Sequence, residues 1–146
     1  MIGFSFYSHE FNNLPLEELE IAIPQIILHE GKEQGDITVI FCTDEDILVL
    51  NQEHLSHDFY TDIITFDYSN DAYISGDLFI SIDRVMENAA EHHVSMEHEL
   101  HRVVFHGVLH LLGYNDKTEE QIAVMRSKEN AYLTQLFHVK HDGFAC

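Results

Sequence analysis

The sequence predicts an α+β domain built on a small, mixed and mostly parallel four-stranded sheet with helices around it. Three observations indicate this class. Short β-rich runs and segments with apolar residues at helical spacing follow one another in the order β, α, β, α, β, β and then helices only. Hydrophobic residues form 45% of the chain and charged residues 23%, as in ordinary globular proteins. The 146 residues contain no Gly/Ser-rich linker and no repeat, so a single domain over residues 1–146 is expected.

The N-terminal part is predicted to contain two strands and one helix. Residues 2–7 alternate apolar and polar side chains, which is typical of a strand. Residues 15–30 carry apolar residues at helical spacing, and Pro24 is expected to kink or split that helix because it has no amide hydrogen. Residues 36–42 are rich in β-branched residues and predict a buried strand.

The middle part is predicted to contain another helix and two further strands. Thr43 can act as an N-cap, and the acidic residues after it suit the first turn of a helix over residues 44–55. Residues 56–60 are polar and predict a connector. Residues 61–68 and 72–82 then predict the third and fourth strands.

Helices are predicted for the rest of the chain. Asp83 is expected to cap a helix that ends near residue 93. A second helix is predicted from residue 95 to residue 112, and Gly113 after it can adopt the left-handed conformation that ends helices. The last helix is predicted over residues 118–138.

The charge balance limits which ligands the protein can bind. There are 26 acidic residues against 7 basic residues, and the formal net charge is −19. Such a surface counts against broad binding of nucleic acid in a basic groove, and against docking on an anionic membrane. A polyanionic ligand must therefore be bound by a few local groups or through a metal ion.

The cysteines and the N-terminus indicate a compartment. Cys42 and Cys146 form neither a disulfide framework nor a CxxC pair, which favours reducing conditions. No window holds 18 consecutive apolar residues. The first ten residues lack the basic and apolar regions of a secretory signal. We therefore expect a cytoplasmic protein with no membrane partner.

The most informative stretch is HGVLHLLGYND, residues 106–116. His106 and His110 lie four residues apart on a predicted helix, so both imidazoles lie on one face and can bind one ion. Gly113 can turn the chain back, which returns Asp116 toward the same ion. The offsets 0, 4, 7 and 10 are those of the extended zincin motif HExxHxxGxxH. Three protein ligands with an open position are typical of a catalytic zinc site.

The composition and one residue of the motif qualify this interpretation. In a chain with 12 histidines, a pair at this spacing can arise by chance, but the glycine, the carboxylate and the apolar residues around the pair favour a metal site. A zinc peptidase with this motif uses a glutamate directly after the first histidine as general base. Gly107 occupies that position, so this general base is absent. A metallohydrolase that acts on a peptide or amide stays open as an alternative, but the missing glutamate counts against it.

The stretch HGVLHLLGY, residues 106–114, resembles the signature of the YbeY family, the metal-dependent bacterial endoribonucleases of rRNA maturation. The resemblance extends over residues 36–130. The family's LN…D.PTDVLSF segment is similar to Leu50-Asn51, Asp58 and Thr61–Phe66, and its LGDIvIs strand is similar to Ser75–Ser81. The family's closing helix would contain Met125 and Glu129. The chain is thereby identified as a member of this family.

The resemblance implies a small, mostly parallel sheet surrounded by helices, with a zinc ion at the mouth of a cleft. It implies a zinc-dependent endoribonuclease that uses metal-activated water on a phosphodiester of single-stranded RNA. The implied roles are small-subunit rRNA maturation and ribosome quality control, with ribosomal RNA as substrate and ribosomal proteins or the small subunit as further partners. A non-catalytic ribosome-biogenesis factor with a structural zinc stays open as an alternative.

The chain departs from the family pattern at four positions, one of which is Asn115 in place of an aspartate. The family signature usually ends in Gly-Tyr-Asp-His, and its final histidine is the third zinc ligand, so the resemblance puts Asp116 in that position. A carboxylate oxygen is an acceptable zinc ligand but a harder one than an imidazole nitrogen, so Mn²⁺ and Fe²⁺ stay open beside one Zn²⁺ ion. Leu55 replaces an arginine thought to act on the substrate phosphate, and Tyr60 replaces a proline.

Three further residues have predicted contacts. Lys117 directly follows the ligand loop and is a candidate contact for a substrate phosphate. Glu99 lies seven residues before His106, close to its helix face, and is a candidate carboxylate for orienting that imidazole. A buried salt bridge or a place on the plain helix surface is the favoured alternative for Glu99. Asp77 lies in a predicted strand, where a charge needs a partner, so it is expected to accept a hydrogen bond from backbone or from Thr61. The sequence identifies no catalytic group beyond the water that the metal binds.

Overall fold

A computed structural model of the protein describes residues 1–55 and 61–137, without the side chains of residues 54 and 55. Several predictions fall outside the described residues, namely those on the connector 56–60 with Asp58 and Tyr60, the Leu55 side chain, residue 138 of the last helix, and Cys146. The strands and helices of the described ranges are β1 (Ile2–Phe6), α1 (Leu16–His29), β2 (Glu33–Cys42), α2 (Asp44–Leu50), β3 (Ile63–Asp67), β4 (Tyr73–Ser81), α3 (Ile82–Glu91), α4 (Met96–Leu111) and α5 (Glu119–Leu136). A π-helical turn, Asn51–Leu55, follows α2, which is shorter than predicted.

The four strands form one sheet in the order β1-β2-β4-β3. β1 pairs with β2 and β2 pairs with β4 in parallel, whereas β3 runs antiparallel to β4 at the edge. The register places Ile37 of β2 between Ile2 of β1 and Gly76 of β4. The predicted mixed, mostly parallel four-stranded sheet is therefore confirmed. Among the helices of the described ranges, none has both the length and the apolar character that a bilayer-spanning helix needs.

Alternate residues of β2 pack on opposite faces of the sheet. Ile37, Val39 and Phe41 belong to the larger core, which also contains buried residues of α1, α3, α4 and α5. Ile40 and Cys42 belong to a smaller core on the other face, to which α2 contributes. The larger core holds α4 against the sheet, and it thereby positions the helix that carries the two predicted histidine ligands.

Pro24 does not split the first helix, contrary to one expectation from the sequence. α1 continues through this residue to its last turn. Leu19, Ile23 and Ile26 beside it are fully buried. A proline in a helix interior costs about 3 kcal/mol, whereas burial of each large apolar side chain contributes about 1.5–3 kcal/mol. Packing of the apolar face therefore outweighs the missing hydrogen bond.

The helix after the fourth strand begins earlier than predicted. Ser81, not Asp83, is the N-cap of α3, and its hydroxyl accepts a hydrogen bond from the N–H of Arg84 at 3.1 Å. Oδ2 of Asp83 instead accepts from the N–H of Asp44 at 2.8 Å, which joins α3 to the start of α2. The predicted N-cap of α2, Thr43, is confirmed.

Candidate metal centre

Gly107 allows α4 to approach the sheet closely. A Cβ atom at this residue would lie 2.7 Å from Cδ1 of Ile63 and 3.0 Å from Cδ2 of Leu78. A glutamate side chain at residue 107 would therefore enter the packed interface with β3 and β4, and the general base of a zinc peptidase has no room there. His106 and His110 lie on a neighbouring face of the helix, where both rings are half-buried.

The C-terminal end of α4 turns the chain back toward the histidines. Gly113 has a φ of +107°, in the region that favours glycine. Its N–H donates to the carbonyl of His110, and the N–H of Tyr114 donates to the carbonyl of Leu109, both at 3.0 Å. These two hydrogen bonds form a Schellman motif. The turn brings Asp116 back to the last turns of the helix.

The side chains of His106, His110 and Asp116 converge on one point. Oδ2 of Asp116 lies 3.3 Å from Nε2 of His106 and 3.4 Å from Nε2 of His110. One ligand atom from each of the three residues lies within 4.8 Å of the others. Donor atoms about 2.0–2.2 Å from a tetrahedral ion are separated by about 3.3–3.6 Å. The two distances to Asp116 therefore match those between ligands of a tetrahedral ion, and three protein ligands would leave one of its four positions for another ligand.

Glu129 orients the ring of His106. Its Oε2 accepts a hydrogen bond from Nδ1 of His106 at 2.6 Å, and its side chain is 1% exposed. A carboxylate only accepts, so Nδ1 carries a proton and Nε2, which faces Asp116, is the atom that can bind a metal. Burial acts to lower the pKa of His106, but the hydrogen bond and charge of Glu129, with the charges of Asp116 and Asp62, raise it overall.

A half-buried arginine, Arg102, holds Glu129 in place. Nη1 of Arg102 lies 3.2 Å from Oε1 of Glu129, while its Nε and Nη2 bind the carboxylate of Glu99. Nη2 also lies 3.7 Å from Oδ2 of Asp62. Burial acts to lower the pKa of Arg102, but the hydrogen bonds and charges of Glu99 and Glu129 raise it overall. Burial raises the pKa of Asp62, although Arg102 and His106 oppose this shift.

The loop that carries Asp116 is anchored at both ends. At its start, the hydroxyl of Tyr114 donates to Oε1 of Glu30 at 2.7 Å. The hydroxyl of Tyr132 and Nζ of Lys128 donate to the other oxygen of that carboxylate, the latter at 3.0 Å. At its end, a capping box begins α5. The ligand loop is therefore tied to both α1 and α5.

Comparison with known proteins gives the family. A family model described as Endoribonuclease YbeY matches residues 7–137. The chain belongs to the YbeY family. The Endoribonuclease YbeY of Flavobacterium psychrophilum is 50% identical over 120 residues, which cover 82% of this chain and 85% of that protein. The Endoribonuclease YbeY of Flavobacterium johnsoniae is 44% identical over 140 residues, which cover 96% of this chain and 99% of that protein.

A solved structure shares the fold of this YbeY chain. The solution structure of a protein from Thermotoga maritima superposes with a TM-score of 0.64 and 28% sequence identity. The match covers 92% of this chain and 91% of that protein. This likeness agrees with the α+β architecture predicted from the sequence.

The structure of this YbeY-family member brings the three predicted metal ligands together. The carboxylate of Glu99 binds Arg102, which is the buried salt bridge that stood as the alternative for this residue, and the carboxylate at the ring of His106 belongs to Glu129. Lys117 is exposed directly after the ligand loop, and its backbone N–H donates to a side-chain oxygen of the capping box. Its predicted contact with a substrate phosphate stays a prediction.

Two residues behind the candidate metal centre had no predicted role, and the predicted hydrogen-bond donor to Asp77 was wrong. No role was predicted for Arg102 or Glu129, although both are charged residues on predicted helices. A charge on a buried helix face needs a partner, and this was the signal that could have paired them. Asp77 accepts a hydrogen bond from the hydroxyl of Tyr68 at 3.4 Å, rather than the predicted bond from Thr61 or backbone.

Proposed function

We propose that this YbeY-family protein is a metal-dependent endoribonuclease that cleaves single-stranded ribosomal RNA in small-subunit rRNA maturation and in ribosome quality control. As a member of the family it is an endoribonuclease, a hydrolase that acts on RNA. The observation that carries the metal dependence is the convergence of His106, His110 and Asp116 on one point.

We propose Zn²⁺ as the ion that these three side chains hold. Two imidazole nitrogens and one carboxylate oxygen form a donor set that suits catalytic zinc, and Mn²⁺ and Fe²⁺ also accept it. When bound, such an ion polarises a phosphodiester and supplies activated water. Glu129 holds the His106 ring so that Nε2 faces Asp116. Arg102 in turn keeps the Glu129 carboxylate in position.

The position of the candidate centre favours RNA with unpaired nucleotides as the substrate. The two histidine rings are half-buried, so a phosphodiester must enter among the surrounding side chains, and a splayed strand does this more readily than a stacked duplex. Lys117, exposed beside Asp116, is proposed to contact a substrate phosphate. The net charge of −19 disfavours RNA binding, so ribosomal proteins or the small subunit are proposed to supply further affinity, in the cytoplasm.

Elemental analysis combined with RNA cleavage tests this proposal. We expect about one zinc ion per wild-type chain, as for a single catalytic site, and cleavage of a labelled single-stranded RNA. His110→Ala and Asp116→Asn should bind far less metal and lose cleavage, while far-UV circular dichroism shows that both variants are folded. Unchanged cleavage by wild-type protein after complete removal of metal would contradict the metal dependence.

The same reagents test the two alternatives. If chelation abolishes RNA cleavage and the circular dichroism is unchanged, the ion is catalytic. If the fold is lost with the metal, the ion is structural and a non-catalytic biogenesis factor is favoured. Hydrolysis of casein without cleavage of RNA would favour a metallohydrolase of peptides, for which Gly107 leaves no general base after the first histidine.

A further inference from the structure

Most basic side chains of this acidic protein are already engaged. Six of the seven Lys and Arg residues lie in the described ranges. Four of them have a carboxylate or carbonyl oxygen within 3.2 Å, namely Lys32, Arg84, Arg102 and Lys128. The other two lie beside the candidate metal centre. Lys117 follows Asp116 in the chain, and Arg126 lines the same cavity as Asp116.

This cavity has a volume of about 160 Å³ and adjoins the candidate metal centre. His106 and Asp116 line it together with Arg126, and Ile122 and Met125 of α5 add apolar surface. Arg102 and Glu129 complete the lining, so two guanidinium groups and two carboxylates border the cavity besides the imidazole ring. An anion in the cavity can therefore approach both the metal ligands and the guanidinium group of Arg126.

The guanidinium group of Arg126 is available for a ligand. Its side chain is 56% exposed, and its Nε lies 3.7 Å from Oε1 of Glu129, which is beyond hydrogen-bond distance. That carboxylate already binds His106 at 2.6 Å and Arg102 at 3.2 Å. Arg102, the other cation of the cavity, is 13% exposed and bound to Glu99 and Glu129. An incoming anion therefore meets Arg126 rather than Arg102.

We propose that Arg126 binds the non-bridging oxygens of a substrate phosphate at the metal centre, an inference that rests on the proposed endoribonuclease function. The planar guanidinium group can form two parallel hydrogen bonds to a phosphate. In a chain with a net charge of −19, a local contact of this kind offsets part of the repulsion between the protein and RNA. Arg126 is thus a substrate-binding residue supplied by α5.

Binding of a fluorescein-labelled, single-stranded 2′-O-methyl RNA to the zinc-loaded protein tests this role. Fluorescence anisotropy is recorded at several salt concentrations, and a denaturing gel checks that the oligonucleotide stays intact. Arg126→Gln should weaken binding about tenfold, as expected for hydrogen bonds to a charged group. It should also reduce the salt dependence of log K by about 0.7, the contribution of one phosphate contact on a single strand. Arg126→Lys should keep the salt dependence but bind less tightly than wild type.

Arg84→Gln is the matched control, because it removes the same charge from a side chain that pairs with Asp44 and Glu87. It should leave the affinity and the salt dependence unchanged. The inference is overturned if folded Arg126→Gln binds like wild type, or if Arg84→Gln weakens binding equally. Wild-type protein would still bind and cleave the RNA in those two cases, so the nuclease proposal would stand. Wild-type protein that neither binds nor cleaves single-stranded RNA would overturn both.

Discussion

Nδ1 of His106 and Oε2 of Glu129 lie 2.6 Å apart, and this hydrogen bond joins α4 to α5. The same carboxylate binds the guanidinium group of Arg102 at 3.2 Å. A carboxylate behind an imidazole ligand fixes the tautomer of the ring and increases its basicity toward a metal. The packing of two helices is therefore coupled to the orientation of one predicted metal ligand.

Glu129→Gln should weaken zinc binding about 10- to 100-fold, as other changes behind metal-bound histidines do. The amide keeps the size of the side chain but loses the charge that holds Nδ1 of His106. Competition with a chromophoric chelator measures the affinity. Glu119→Gln, an exposed change in the first turn of the same helix, is the matched control and should bind zinc like wild type. Equal zinc affinities of Glu129→Gln and wild type would contradict the orienting role.

The hydroxyl of Tyr114 should matter for zinc binding, whereas that of Tyr132 should not. Both hydroxyls donate to Glu30, but only Tyr114 lies in the loop that carries Asp116. Tyr114→Phe should release the start of this loop and weaken zinc binding by about 1 kcal/mol, or roughly fivefold. Tyr132→Phe should lower the thermal midpoint without changing the zinc affinity. The loop-anchoring role is excluded if the two variants bind zinc equally well.

Gly76 should not tolerate a side chain. A Cβ atom there would lie 2.5 Å from the carbonyl oxygen of Phe66 and 2.8 Å from Cδ2 of Leu111. Gly76→Ala should therefore destabilise the protein by about 1–3 kcal/mol, or by roughly 3 °C of thermal midpoint for each kcal/mol. Gly3→Ala is the matched strand control, because its Cβ would meet only Oγ1 of Thr38 at 3.9 Å. Similar midpoints for the two variants would show that the sheet relaxes around the new methyl group.

The carboxylate of Glu30 should make stability depend on acid pH. Burial acts to raise the pKa of Glu30, but hydrogen bonds from Tyr132, Tyr114 and Lys128 lower it overall. Its contribution is present above the pKa of the unfolded chain, about 4.3, and is lost as the pH falls through the lowered pKa of the folded state. Urea unfolding should give wild type a higher free energy of unfolding than Glu30→Gln at pH 7. This difference should shrink as the pH falls below the pKa of the unfolded chain, about 4.3. Glu33→Gln, an exposed change nearby, controls for general charge effects, and a difference that does not vary with pH would refute the link.

Some features of the candidate centre follow from short stretches of sequence. His106 and His110 share a helix face because the α-helix repeats every 3.6 residues. The turn after α4 depends on a single glycine that can adopt positive φ, and this turn returns Asp116 to the histidines. Local sequence patterns predict the ends of a helix less reliably where packing of the apolar face opposes them. Pro24 stays inside a continuous helix because the apolar residues around it are buried.

The sequence by itself determined the sheet class, the helix that carries the two histidines and the carboxylate that joins them. Only the tertiary structure decided which charged groups stand behind this centre. Glu129 lies 23 residues after His106 and 27 residues after Arg102, yet its carboxylate contacts both side chains. Spacing along the chain does not encode such contacts, because the strength of an ion pair depends on the distance between its charges and on the exclusion of water. Both are fixed only when α4 and α5 pack together.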